Sequence, residues 1–251
     1  MPQLHGSLQK SKKKPLQQEI LTNIAAELRY DRSVKAVIIT GAGRAFTAGR
    51  DVKGGDAEPD MHHSDAEAFM HDTIKALETL PQPLIAAVNG ACFTGGLELV
   101  MAADIIMAGE SAIFCDTHAE LGIVPGWGLN VRLPKRIGYA AAKVMSWTCR
   151  RYSGSQAADI GLADMLVSDE ELMESARQLA ADIARNSAES VAKQKKMLNY
   201  ARSTTERDAI WVLDSRGLHP GGASDSKERS EALFGEGGGP GWGDGKKNAR
   251  L

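Results

Sequence analysis

Pro83 to Phe114 reads PLIAAVNGACFTGGLELVMAADIIMAGESAIF, and this stretch decides the fold class. Leu84 to Val88 is a short apolar run with no polar face, the pattern of a strand buried on both sides. Asn89 to Gly96 is a turn rich in small residues, Leu97 to Ala103 is apolar enough for a buried helix, and Ile105 to Ala108 and Ala112 to Cys115 are short strands. Upstream, Lys35 to Thr40 (KAVIIT) is a β-branched run bounded by Gly41 and Gly43, again expected to be buried on both faces. A polar loop, GAGRAFTAGRDVKGGDAEPD, and a helix from about Met61 to Leu80 join the two runs. A strand, a crossover helix and a second strand make an α/β fold.

Outward from this centre, Leu16, Ile20, Ile24, Ala25 and Leu28 follow the helical period, with Pro15 where a helix start tolerates it. Beyond Gly122 the signals turn helical: Leu129 to Ile137, Ala140 to Thr148, and Ser155 to Ile160, stopped by Gly161. Ser168 followed by Glu171 reads as a capping box opening a helix to about Asn186, and amphipathic helices are expected over Ser190 to Ser203 and Thr205 to Arg216. The chain is accordingly divided into a solvated basic arm over 1–14 (Lys10, Lys12, Lys13, Lys14), a core over 15–162, a helical region over 163–234 and a flexible glycine-rich tail over 235–251.

A chain of 251 residues with 43% hydrophobic and 25% charged side chains has ordinary globular composition. Thirty basic against 32 acidic residues, 30 − 32 = −2, lack the electrostatic footprint of a dedicated nucleic-acid binder. No apolar run approaches the ~18 residues of a membrane span, and the first residues lack the apolar stretch of a secretory signal, so a soluble intracellular protein without membrane partners is expected. Cys92, Cys115 and Cys149 show no C-x-x-C spacing, which indicates neither a disulfide framework nor a thiolate zinc site. The histidines form no H-E-x-x-H, with His62, His63 and His71 in a polar helical region, so no metal is expected. Ser190-x-x-Lys193 reads as a solvated helix face.

Two glycine-centred turns follow strands: Ala48-Gly49-Arg50-Asp51 after KAVIIT, and Thr94-Gly95-Gly96-Leu97-Glu98 after LIAAV. Ligands in open α/β sheets bind at the carboxyl ends of strands, where glycine permits close backbone approach and the next helix leaves its first N–H groups unpaired. One such N–H from each turn would make an oxyanion hole; both turns are equally compatible with ordinary strand-to-helix connections. Glu98, set in apolar LELVMAADII, is either a charge favoured at a helix start or an acid/base beside that hole.

GAGRAFTAGRDVK, the Pro83 to Phe114 stretch, LGIVPGWGLNVRLPKRIG and SQAADIGLADMLV stand in the order found in the crotonase, or enoyl-CoA hydratase/isomerase, superfamily, which the chain resembles from about Leu16 to Leu213. The resemblance implies a spiral of ββα units forming a homotrimer or a dimer of trimers, with an acyl-CoA thioester as substrate and no separate cofactor. It implies that the backbone N–H groups of Arg50 and Gly95 hold the thioester oxygen. It also implies that Ala48, Gly49, Asp51, Val52, Lys53 and Gly96 line the CoA groove, with Lys53 near adenine or phosphate. Glu98 matches the first of two glutamates that activate water in family hydratases, whereas the position of the second is held by His118. Histidine titrates near neutrality, so Glu98 and His118 form a workable acid/base pair, although a core histidine fits the position as well. Trp127, in PGWG, either shapes the acyl pocket or simply packs.

The family's two opening strands and its Arg-Pro…Asn-Ala-Leu segment have no counterpart in the first residues, so missing N-terminal strands are expected. The reading favoured is a hydratase adding water across a 2-enoyl-CoA in fatty-acid β-oxidation. An isomerase or other enolate-forming enzyme, and a non-catalytic or truncated crotonase-fold subunit, stay open beside it. The terminal Ala249-Arg250-Leu251 resembles a peroxisomal address, giving a peroxisomal expectation in a eukaryote and a cytoplasmic one otherwise.

Overall fold

The computed structural model describes residues 15–47, 49, 63–215 and 223–234, with side chains over 20–47, 49, 70–210 and 223–233. The basic arm and the glycine-rich tail lie outside the described residues, as do Ala48, Arg50, Asp51, Val52, Lys53, His62 and the C-terminal tripeptide. The first helix, α1 (Pro15–Tyr30), precedes β1 (Val37–Thr40), β2 (Ala45–Thr47) and α2 (His63–Glu78). Then come β3 (Leu84–Val88), β4 (Ala91–Phe93), α3 (Gly95–Val100), β5 (Ile105–Gly109) and β6 (Ile113–Cys115). Helices α4 (Leu129–Ile137) and α5 (Tyr139–Thr148) lead to β7 (Tyr152–Ser153), α6 (Gly154–Asp159), β8 (Met165–Val167) and α7 (Leu172–Ala184). The remainder is helical: α8 (Ala188–Ser203), α9 (Glu206–Ser215) and α10 (Ser226–Phe234).

Strands β1 to β6 alternate between two four-stranded sheets, ordered β1-β3-β5-β8 and β2-β4-β6-β7; β7 stays beside β6 and β8 returns to the first sheet. Every pair is parallel except β6 with β7. This alternation is the α/β spiral expected from the sequence. Polar side chains tie its turns: Asn89 accepts from the Gly41 N–H at 3.1 Å and donates to the carbonyls of Gly41 and Gly43. Asp104 and Asp164 repeat one device, each taking the N–H of a neighbouring strand (Leu84 at 2.7 Å, Ile106 at 2.8 Å) and returning its own N–H to the same residue's carbonyl.

Alternation along β3 explains its apolar sequence. Leu84, Ala86 and Val88 join a core with Ile74, Leu97, Ile106 and Phe114, whereas Ile85 and Ala87 face Met107, Leu172, Ala176 and Ala180 on the other side. Helix α7 therefore covers one face of the first sheet and the main core fills the other, leaving no polar face for β3 to show.

Three expectations need correction. Strand β1 is only half-buried, with Thr40 exposed, because it stands at the edge of the described sheet and no strand among the described residues precedes it. The polar loop and the small-residue turn each contain a short strand, β2 and β4, and the helical stretch beyond Gly122 contains β7 and β8. Strands of two or three residues carry no readable period. The Ser168 hydroxyl donates to the Glu171 carboxylate at 2.9 Å and its carbonyl accepts the Glu171 N–H at 3.2 Å, a turn that precedes α7 and does not cap it; the reciprocal capping box is Ser153 with Gln156 at α6. Helix α10 falls inside the helical region expected over 163–234, where no individual helix is read beyond Arg216.

The chain divides into two compact units, Met1–Arg185 and Asn186–Leu251. The division falls at Arg185, beyond the expected 162, because β8 pairs with β5 and α7 packs on the first sheet. Within the second unit, Ser187 caps α8 and bonds Asp225, and Glu189 holds Ser224.

Candidate active site

The two glycine turns named from the sequence meet. Gly49 adopts φ 83°, and a Cβ there would lie 3.0 Å from the Gly95 nitrogen and 3.1 Å from the Phe93 carbonyl oxygen. The Gly49 N–H points to the Thr47 hydroxyl at 3.3 Å, while Gly96 packs against the Thr47 carbonyl, where a Cβ would approach to 2.5 Å. Close packing of β2 against the start of α3 thus needs small residues on both sides. No hydrogen-bond partner occupies the Gly95 N–H among the described residues. Arg50, the other expected donor, lies outside them.

One turn into α3 stands Glu98, 2% exposed. Its Oε1 accepts the backbone N–H groups of Trp127 at 2.8 Å and Leu129 at 3.2 Å, so the segment entering α4 fixes the carboxylate's orientation. Its other oxygen, Oε2, faces His118 Nε2 at 3.6 Å. His118 follows the end of β6 and is 5% exposed; its Nδ1 lies 2.6 Å from Asp116 Oδ1, which also accepts the His118 backbone N–H at 3.1 Å.

Burial of His118 opposes its protonation, but the Asp116 hydrogen bond and Glu98 outweigh it and raise the imidazole to about 9. Burial likewise pushes Asp116 up, yet the hydrogen bond from His118 and the nearby Ser146 hydroxyl leave its carboxyl below the ordinary range. Asp116 Oδ2 itself is buried with no hydrogen bond at normal distance among the described residues. At neutral pH the centre is an imidazolium held between two carboxyl side chains. A protonated imidazole beside a carboxyl group is an arrangement that general acid–base chemistry can use.

Trp127 closes one side: a Cβ on Gly95 would lie 2.3 Å from the indole Cζ3. Arg132 anchors this segment, donating to the Trp127 carbonyl at 2.9 Å and to both carboxylate oxygens of Glu78. Thr94, immediately before Gly95, holds φ 53° and ψ −113°, and its hydroxyl hydrogen-bonds that of Thr117. The structure therefore gathers Gly49, Gly95, Gly96, Glu98, His118 and Trp127. Asp116 is not singled out by the sequence reading; it lies just past β6, in the short link before the turn that opens at His118.

The family model for enoyl-CoA hydratase/isomerase matches residues 9–246. The chain belongs to the enoyl-CoA hydratase/isomerase family. Within this family it is 42% identical over 179 residues to the carnitinyl-CoA dehydratase of Proteus mirabilis (strain HI4320), covering 71% of this chain and 67% of that protein. Among solved structures it resembles an enoyl-CoA hydratase from Bacillus anthracis with 32% identity and a TM-score of 0.79, over 88% of this chain and 85% of that one. A monofunctional enoyl CoA isomerase from M. smegmatis aligns with 30% identity and a TM-score of 0.67, over 79% and 86% of the respective chains. Family and fold agree with the crotonase resemblance, and an enzyme of hydratase or isomerase type agrees with the names these relatives carry.

Proposed function

We propose that the protein adds water across the double bond of a 2-enoyl-CoA, with Glu98 and His118 as the acid/base pair. The approach of Glu98 Oε2 to His118 Nε2 at 3.6 Å, beside the glycine turn whose Gly95 N–H has no hydrogen-bond partner among the described residues, carries this reading. Water placed between the two side chains loses a proton to Glu98 as its oxygen bonds to Cβ. The double-bond electrons move into the thioester as an enolate, whose oxygen accepts N–H bonds from Gly95 and Arg50. His118 Nε2–H delivers its proton to Cα, and protonated Glu98 then returns a proton to His118, so the net change is the uptake of one water.

In this reading Ala48, Gly49, Asp51, Val52, Lys53 and Gly96 line the CoA groove and Trp127 bounds the acyl end. The unit works as a homotrimer or a dimer of trimers in fatty-acid β-oxidation, and Ala249-Arg250-Leu251 serves as a peroxisomal address if the source is eukaryotic. Purified protein with crotonyl-CoA should bleach the conjugated enoyl-thioester absorbance, and Glu98→Gln and His118→Ala should each remove about two or more orders of magnitude of turnover. A Glu98→Gln variant with unchanged turnover would overturn the assignment.

A second reading has one specific support: the second position holds a histidine where two carboxylates would share a water. Glu98 then shuttles a proton between carbons, and the enzyme isomerises a 3-enoyl-CoA. Product analysis on both substrates separates the two, and turnover of either excludes a non-catalytic subunit.

A further inference from the structure

Resting on the Glu98–His118 reading, we propose that Asp116 is the positioning residue of this centre, fixing His118 as an inward-turned cation whose Nε2–H faces Glu98. Three observations support it. The Nδ1 to Oδ1 separation of 2.6 Å is that of a charge-assisted hydrogen bond. The same Oδ1 accepts the His118 backbone N–H at 3.1 Å, so one oxygen holds both the main chain and the ring of the residue two positions on. All three members are nearly excluded from solvent, Asp116 at 1%, Glu98 at 2% and His118 at 5%, so water does not screen the pairing.

The geometry leaves the ring one functional nitrogen. With Nδ1–H committed to Asp116, Nε2 is the atom turned toward Glu98, and Glu98 Oε1 is occupied by the N–H groups of Trp127 and Leu129. Proton traffic is thereby confined to the space between Nε2 and Oε2. An imidazole oriented by a third, non-reacting carboxylate is the general logic of an activated base or acid. Here it lets a histidine stand where a second carboxylate would otherwise be needed, because the cation, not the neutral ring, is the form kept at working pH.

The charged groups around His118 are Asp116 on its own segment and Glu98 from α3. Cys149, Arg151, Asp116 and Glu120 bear on the Cys115 thiol, which burial pushes up to about 11. Loss of the Asp116 charge thus removes one of two anions acting on the ring, and its proton is then lost at lower pH.

The test has two arms. In the wild-type protein, with no acyl-CoA present, nitrogen NMR of the His118 ring should show both nitrogens protonated through pH 8, with the Nδ1 proton far downfield. A neutral ring at about pH 7 would overturn the proposal whether or not the protein is a hydratase. In the second arm, Asp116→Asn should lower kcat for crotonyl-CoA hydration by about tenfold or more at pH 8 with little change in KM. The basic limb of its pH–rate profile should also move down by about one unit or more. A limb that stays in place, with kcat reduced equally at every pH, would mean that Asp116 is merely structural. Wild-type turnover with an unmoved limb sinks the proposal and leaves the hydratase reading standing, whereas a charged His118 with no turnover does the reverse. Should Asp116→Asn fail to fold, the wild-type NMR arm decides alone.

Discussion

Trp127 lies directly against Gly95, so close that a Cβ on the glycine would come within 2.3 Å of indole Cζ3 and 2.7 Å of Cη2. The same tryptophan gives its backbone N–H to Glu98 at 2.8 Å. One residue therefore bounds the proposed oxyanion position with its ring and orients the proposed acid/base, Glu98, with its main chain.

Gly95→Ala should be doubly costly. The added methyl must displace a rigid ring, at about 1–3 kcal/mol of stability, and the displaced segment carries a hydrogen bond to Glu98. Denaturant unfolding should report the first effect, and a larger fall in kcat than in substrate affinity should report the second.

Trp127→Ala keeps the backbone donor but removes the ring. Losing a half-buried indole should cost about 1.5–3 kcal/mol by chemical unfolding. Under the hydratase reading, the space opened should raise kcat/KM for longer acyl chains relative to crotonyl-CoA. Unchanged chain-length preference would reduce Trp127 to packing alone.

Thr94 holds φ 53°, ψ −113°, a backbone region that suits glycine and strains a β-branched residue. Its hydroxyl bond to Thr117 compensates. Thr94→Ala, which keeps the strain and loses the bond, should therefore unfold at a lower temperature than Thr94→Gly, with a gap of about 1 kcal/mol. Equal melting temperatures would show that the strained backbone contributes nothing.

His118 also couples stability to pH. Its pKa is raised on folding from 6.5 to about 9, so its stabilisation is complete below about pH 6.5 and is lost as pH rises through about 9. The magnitude is on the order of 3 kcal/mol. Asp116 acts in the opposite sense, since its lowered pKa stabilises above the ordinary carboxyl range and is lost on acidification. Unfolding free energies measured across this window should decline in wild type and lose that decline in His118→Gln.

Arg132 joins Glu78 on α2 to the Trp127 carbonyl through three donors. Lysine cannot reproduce that fork, so Arg132→Lys should behave nearly as badly as Arg132→Ala, losing about 1–3 kcal/mol and raising KM for acyl-CoA under the proposed function. Full rescue by lysine would show that charge alone matters.

Much of the fold was legible in the residues. LIAAV reads as a doubly buried strand and β3 is one, because a run with no polar member can be accommodated only where both faces are covered. Leu129 to Ile137 reads as a helix, and α4 spans the same residues. The glycines at 49 and 95 marked turns that do meet, since only small residues allow two backbones so near. The short strands β2, β4, β7 and β8 were not legible, for they are held by partners on distant segments and not by any local pattern.

The site divides in the same way. Sequence by itself determined which chemistry-bearing residues are present: a glutamate in an apolar stretch after a glycine turn, a histidine where the family resemblance implies a second carboxylate, and a tryptophan in the loop beyond. Only the tertiary structure decided what they do to one another. It sets Glu98 against the N–H groups of Trp127 and Leu129, which lie 29 and 31 residues on, and brings His118 to within 3.6 Å. It also shows Asp116 holding that histidine. Periodicity and propensity are local properties of a chain. Burial, charge pairing and the pKa values that follow from them depend on which distant segments the sheets bring together.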